Sequence, residues 1–177
     1  MRSMLYFMAI LTTGMGTSAL AHEHHHEGHR HHGAHVHGMA TLDLVADANN
    51  IMIHLRSPLV NLLGFEHQPV TTQQETAYHD LHQQLLALET LLTAQGTDCQ
   101  AEDIEIADPF TGDEEALHAD IEVSYFLHCN NADGLTALAV NLFTHYERLE
   151  TIEVQMILPS GQHHIQLTAQ QTTIRIN

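Results

Sequence analysis

From residue 38 onward apolar side chains recur at every second position, the period of a half-buried strand. Ala40, Leu42, Leu44 and Ala46 alternate with Thr41, Asp43 and Val45, residues 47–50 (Asp-Ala-Asn-Asn) make a turn, and Ile51, Ile53 and Leu55 alternate with Met52, His54 and Arg56. Pairing Asp47 with Asn50 sets Leu42 opposite Leu55, Leu44 opposite Ile53 and Asp43 opposite His54, so both apolar sets share one face. Extending the first strand backward puts His35 and His37 on the polar face with Asp43. Pro58 ends the second strand, and 59–68 reads as a loop or short turn. Over 71–94 the period lengthens: Tyr78, Leu81, Leu85, Leu88 and Leu92 form one helical stripe, with Thr71 or Thr72 as cap and Gly96 as stop. A Glu75, His79, His82 cluster on this helix reads as a solvated face.

Strands resume beyond the helix. Ile104 and Ile106 alternate with acids. Leu117 to Leu127 alternates with His118, Asp120 and Glu122 on the wetter face, and Leu138, Val140 and Leu142 suggest a further strand. Ile152 to Leu158 turns at Ser160-Gly161, which pairs Met156 with Ile165 and Val154 with Leu167; Ile174 and Ile176 add a short edge strand. The expected fold is α+β, an antiparallel β-sheet packed against one long α-helix, preceded by a disordered His-rich arm.

Residues 1–21 carry a basic start, an apolar run from Met4 to Leu11 and an Ala-Leu-Ala end, the pattern of a secretory signal peptide. Thr12, Thr13, Gly14 and Gly16 interrupt the run too early for a membrane span, so no membrane insertion is expected after cleavage. Residues 22–37, HEHHHEGHRHHGAHVH, hold nine His and only Val36 as an apolar side chain of any size, and read as a flexible metal-binding arm. Residues 38–177 form the single folded domain. Cys99 and Cys129, in an exported chain, read as one intramolecular disulfide; two thiolate ligands are the competing reading, but neither Cys has a C-x-x-C partner.

Composition narrows the function. The chain has 22 Asp and Glu against five Arg and no Lys, a formal charge of -17, which excludes nucleic acid and disfavours anionic membrane surfaces. It also has 18 His, far beyond any packing need. Neutral imidazole suits zinc, and also Ni2+ or Cu2+ in vitro, so His22, His24, His25, His26, His29, His31 and His32 in the arm are candidate ligands. His22-Glu23-x-x-His26 matches a zinc-protease string, but nothing docks it as a helix, and a protease is rejected.

The order of His35-Val36-His37-Gly38, Ser57-Pro58, Gly64-Phe65-Glu66-His67, His118-Ala119-Asp120-Ile121-Glu122 leading to Cys129, and Leu158-Pro159-Ser160-Gly161-Gln162 resembles the zinc-regulated periplasmic protein family ZrgA, from the signal peptide to about residue 176. The resemblance implies a Gram-negative periplasmic protein, made under zinc limitation, that binds Zn2+ and assists its uptake through components of an ABC importer. It does not name the ligands. Combining motif order with zinc's preference for four N, O or S ligands, His35 and His37 are expected to meet His67 and His118 near one end of the sheet, with Glu66 and Asp120 as a fourth ligand or as acceptors orienting the imidazoles. Asp43 with His54, His145, and His163 with His164 read as ordinary polar positions. A zinc buffer or metal-resistance protein without a transporter partner is the alternative, and a metallohydrolase a remote one, since no substrate cleft is legible; the protein is expected not to be an enzyme.

Overall fold

The computed structural model describes residues 36–111 and 119–176. The residues read as a signal peptide, those read as the arm through His35, and His118 lie outside the described residues. Among the described residues two sheets and four helices share one hydrophobic core. β1 (Met39–Asp47) and β2 (Asn50–Pro58) form the expected hairpin in the expected register, Asp47 on Asn50, Asp43 on His54 and Leu42 on Leu55. Ala48 takes a positive φ of 49° in the two-residue turn, as such tight hairpins require. β5 (Asp120–Cys129) pairs with β2 on one side and with β4 (Cys99–Ala107) on the other. β7 (Thr151–Leu158) and β8 (Gly161–Thr168) complete a sheet of order β4-β5-β2-β1-β7-β8.

Three features of the sheets and of the long helix differ from the expectation. The large sheet is mixed, because β1 runs parallel to β7, Met39 beside Thr151 through Val45 beside Ile157. Alternation says which face is buried and nothing about the direction of a distant neighbour. The second difference is that the 71–94 helix is broken. α2 (Thr72–Leu85) is capped by the Thr71 side chain, which accepts the Gln74 N–H at 3.3 Å, but at Ala87 the backbone becomes extended, α3 (Leu88–Leu91) is a single turn, and β3 (Leu92–Gln95) is a strand. Tertiary partners claim the groups a longer helix would use. The Tyr125 hydroxyl donates to the Leu85 carbonyl (2.7 Å), the Asn141 side-chain amide to the Glu89 carbonyl (2.7 Å), and β3 pairs with β6 (Ala137–Val140). With β9 (Thr173–Arg175) these make a separate three-stranded sheet, and Leu142 belongs to the short α4 (Leu142–His145) rather than to a strand.

The third difference is the β7–β8 hairpin, whose two-residue turn comes one residue earlier than expected and shifts the pairing by two: Leu158 pairs with Gly161 and Val154 with Ile165. Pro159 presets φ for the first turn position, so the bend begins there, and Gly161 takes the positive φ (129°) that follows it.

One face of the large sheet is buried. Leu42, Leu44, Ile53, Leu55, Ile121, Val123, Ile152 and Val154 pack with Leu81 and Leu85 of α2 and with Leu138 and Val140 of the small sheet. The other face carries Asp43, His54, Arg56, Glu122, Glu153 and His164. Cys99 and Cys129 lie opposite each other on β4 and β5 and form a disulfide. Its closed loop of 30 residues corresponds to about 3 to 4 kcal/mol in the chain-entropy account. Among the described residues no helix is long and apolar enough to cross a membrane.

Three tyrosines are set into this core. Burial pushes the Tyr146 phenol up to about 12 and raises Tyr125 too, with Tyr146 adding to it; Tyr78 rises by burial and by its hydrogen bond to Asp108 at 2.8 Å. An unfolded tyrosine ionises near 10. The folded state therefore holds these protons longer, and their contribution to stability is complete below about pH 10 and lost as pH climbs toward 12. Urea unfolding is expected to show a midpoint that falls steadily between pH 10 and 12; a flat midpoint across that window would contradict the burial of these phenols.

Candidate metal centre

The site grows from the entry into β1. Met39 N–H donates to the Val36 carbonyl (3.1 Å), closing a turn over His37 and Gly38, and Gly38 has a φ of 84° that an L side chain seldom adopts. The strand thus begins at Met39, and His37 sits in the turn instead of on the polar face of a strand extended back to His35. The Gly38 carbonyl accepts from both Glu150 N–H (2.8 Å) and Thr151 N–H (3.0 Å), which fixes the turn against the start of β7.

On the other side of the turn, residues 59–63, expected as loop or short turn, form α1 (Leu59–Leu63). Pro58 precedes it and Gly64 (φ 81°) ends it in the left-handed conformation, a Pro-before, Gly-after signature that marks even a short helix in a sequence. The buried Asn61 of α1 accepts the Gly38 N–H (2.7 Å) and donates to the Met39 carbonyl (2.9 Å) and Ser57 Oγ (3.2 Å). Past Gly64 the chain reaches Glu66, whose carbonyl accepts Ala119 N–H (3.2 Å), while the Ala119 carbonyl accepts Leu59 N–H (2.9 Å). The backbone just after His118 is therefore tied to Glu66.

These ties bring His37 and Glu66 together. His37 Nε2 lies 3.3 Å from Glu66 Oε2, the imidazole 60% exposed and the carboxylate 13%. Ligand atoms about 2.0 to 2.1 Å from a tetrahedral zinc are about 3.3 Å from one another, so the pair already spans one edge of such a tetrahedron. The other described candidates, His67 and Asp120, have further partners. His67 is exposed, its Nδ1 2.8 Å from the Gln68 carbonyl and its ring against Phe65. Asp120, at the start of β5, takes Arg56 Nη2 at 2.7 Å and Nε at 2.8 Å, a two-point charge pair at the edge of the open sheet face. Among the described residues no three His, Cys, Asp or Glu side chains converge.

The open face of the large sheet extends the acidic field. Arg56 Nε also approaches Glu122 (3.7 Å), and His164 Nε2 meets Glu153 (2.8 Å). Ser124 Oγ, His54 and Glu122 line up across two strands, but His54 Nε2 is 3.9 Å from the Glu122 carboxylate. That exceeds hydrogen-bond range, so the carboxylate does not orient the ring as a nucleophile's base requires. His79 is exposed on α2, as a solvated helix face predicts, whereas His82 is half-buried with its ring 4.6 Å from that of Tyr78.

A family model described as ZrgA family zinc uptake protein matches residues 34–176 of the chain, which takes in both His37 and Glu66. No curated protein matches it. Replacing Gly38 by Ala tests the turn: the added methyl carbon would lie 3.1 Å from the Glu150 side chain on a backbone of positive φ. Gly38→Ala is expected to lower the unfolding free energy in urea by about 1 to 2 kcal/mol; an unchanged midpoint would show that the turn carries no strain requirement.

Proposed function

The chain belongs to the ZrgA family of zinc uptake proteins, and on that premise we propose that it is a periplasmic zinc-binding protein that captures Zn2+ and assists its uptake through an ABC importer. The observation that carries the reading is the His37–Glu66 pair, a nitrogen and an oxygen held 3.3 Å apart where the arm meets the folded domain. Imidazole and carboxylate are both zinc ligands, and Zn2+ is the cargo, bound and released without chemistry. Binding has two parts. The imidazoles of the arm, residues 22–37, collect ions from a dilute pool, and the folded domain holds one of them more tightly. His35, His67, His118 and Asp120 are the further candidates for that coordination sphere.

The net charge of -17 raises the local concentration of cations around the chain. Export is supported by the signal-peptide pattern of residues 1–21 and by a disulfide of the kind that persists in oxidising compartments. The delivery step toward an importer rests on the uptake role that the family description carries.

Calorimetry with zinc chloride separates the two parts. Deleting residues 22–34 leaves in place every buried apolar residue of the described chain, from Ala40 to Ile174. The deletion is expected to lower the number of ions bound and to leave one tight ion per chain, which His37→Ala or Glu66→Gln then removes. Protons compete for the same imidazole lone pairs, so affinity at pH 5.5 is expected to fall well below that at pH 7.5. Loss of all binding on deletion, or equal affinity at the two pH values, would contradict the reading.

A further inference from the structure

We infer that Asn61 is the positioning residue of this zinc grip, the side chain that sets the separation of His37 and Glu66; the inference rests on reading that pair as ligands. Asn61 is 2% exposed in the middle of a five-residue helix, a place where a polar amide is unfavourable unless its hydrogen bonds are made. They are made. Oδ1 accepts the N–H of the residue after His37, and Nδ2 donates to the first residue of β1 and to Ser57 near the end of β2.

One side chain thereby fastens the turn that carries His37 to the helix that ends, at Gly64, two residues before Glu66. Its bonds go to backbone and to Ser57, not to the ligand side chains, so it acts through them. The chemistry demands an amide. A single neutral group must accept at one atom and donate at the other, which Asp, Leu and Ala cannot do, and neutrality keeps the tie from competing for the cation. The orientation of the amide follows from its partners, since the reverse would set N–H against N–H and oxygen against oxygen. Removing it takes partners from the Gly38 N–H and the Met39 carbonyl, while the Met39-to-Val36 bond, internal to the turn, and the two bonds to Gly38 oxygen, which tie the turn to the start of β7, remain.

The test uses the chain lacking residues 22–34 and measures the zinc dissociation constant by competition with a chromophoric chelator, alongside urea stability. Asn61→Ala is expected to weaken zinc roughly tenfold or more, the range typical of residues that orient metal ligands. Leu85→Ala, at the far end of α2 where the Tyr125 hydroxyl meets the helix, is expected to destabilise the fold while leaving zinc affinity within twofold of the parent. Should Asn61→Ala fail to fold by circular dichroism, Asn61→Asp takes its place, keeping the acceptor and losing both donor bonds, with the same expectation. Parent-like affinity in the Asn61 variant, or an equal loss in Leu85→Ala, would overturn the inference and leave the ligand reading standing. A parent that binds no zinc would overturn both.

Discussion

One-sided burial of the six-stranded sheet is the constraint from which the rest follows. Strict alternation along β1, β2, β5 and β7 sends every second side chain into one core, and a slip of one residue in any strand would turn its whole apolar set to water. Register is thereby specified across strands far apart in sequence. Because β1 and β7 run parallel in the middle of that sheet, both begin at the same end, and Gly38 oxygen takes the amides of Glu150 and Thr151 there. The chain can enter β1 only through a sharp bend, which the positive φ of Gly38 permits. His37 occupies that bend. The placement of a candidate zinc ligand is thus a consequence of how the core closes.

Local patterns carried a good part of this fold. The β1–β2 register was readable because two apolar runs and a polar turn admit one pairing that buries both. The Thr71 cap and the joining of Cys99 to Cys129 were legible for similar reasons: a cap follows from side-chain chemistry at a helix start, and a disulfide from compartment and count. What stayed hidden depends on contacts distant in sequence. Leu88 and Leu92 continue the stripe of Leu81 and Leu85, yet Tyr125 and Asn141 intercept the backbone and Leu92 enters a second sheet. The parallel pairing left no local trace. The β8 hairpin slipped because Ser160-Gly161 looks like a turn by itself, whereas Pro159 starts the bend one residue earlier.

The candidate site divides in the same way. His37 and Glu66 were both named from motif order, but their contact depends on a helix read as a loop or short turn and on a buried amide that no ligand pattern singles out. Asp120, named in the same way, pairs at 2.7 Å with Arg56, one of five Arg in a chain of 22 acids. Acidic residues in such a chain are plentiful, so an acid in a motif carries less information than an imidazole beside a structural bend. The polar sheet face repeats the lesson, since the His164–Glu153 and His54–Glu122 pairs are cross-strand neighbours set by pleat and register.

The central claim is that a zinc ion is gripped by the folded domain at the mouth of β1. Diffraction recorded on either side of the zinc absorption edge, from crystals of the chain without residues 22–34 grown with equimolar zinc, addresses it most directly. The account predicts a single strong anomalous peak bonded to His37 nitrogen and Glu66 oxygen at about 2.0 to 2.2 Å. A peak that avoids both residues, or none at all, would contradict it.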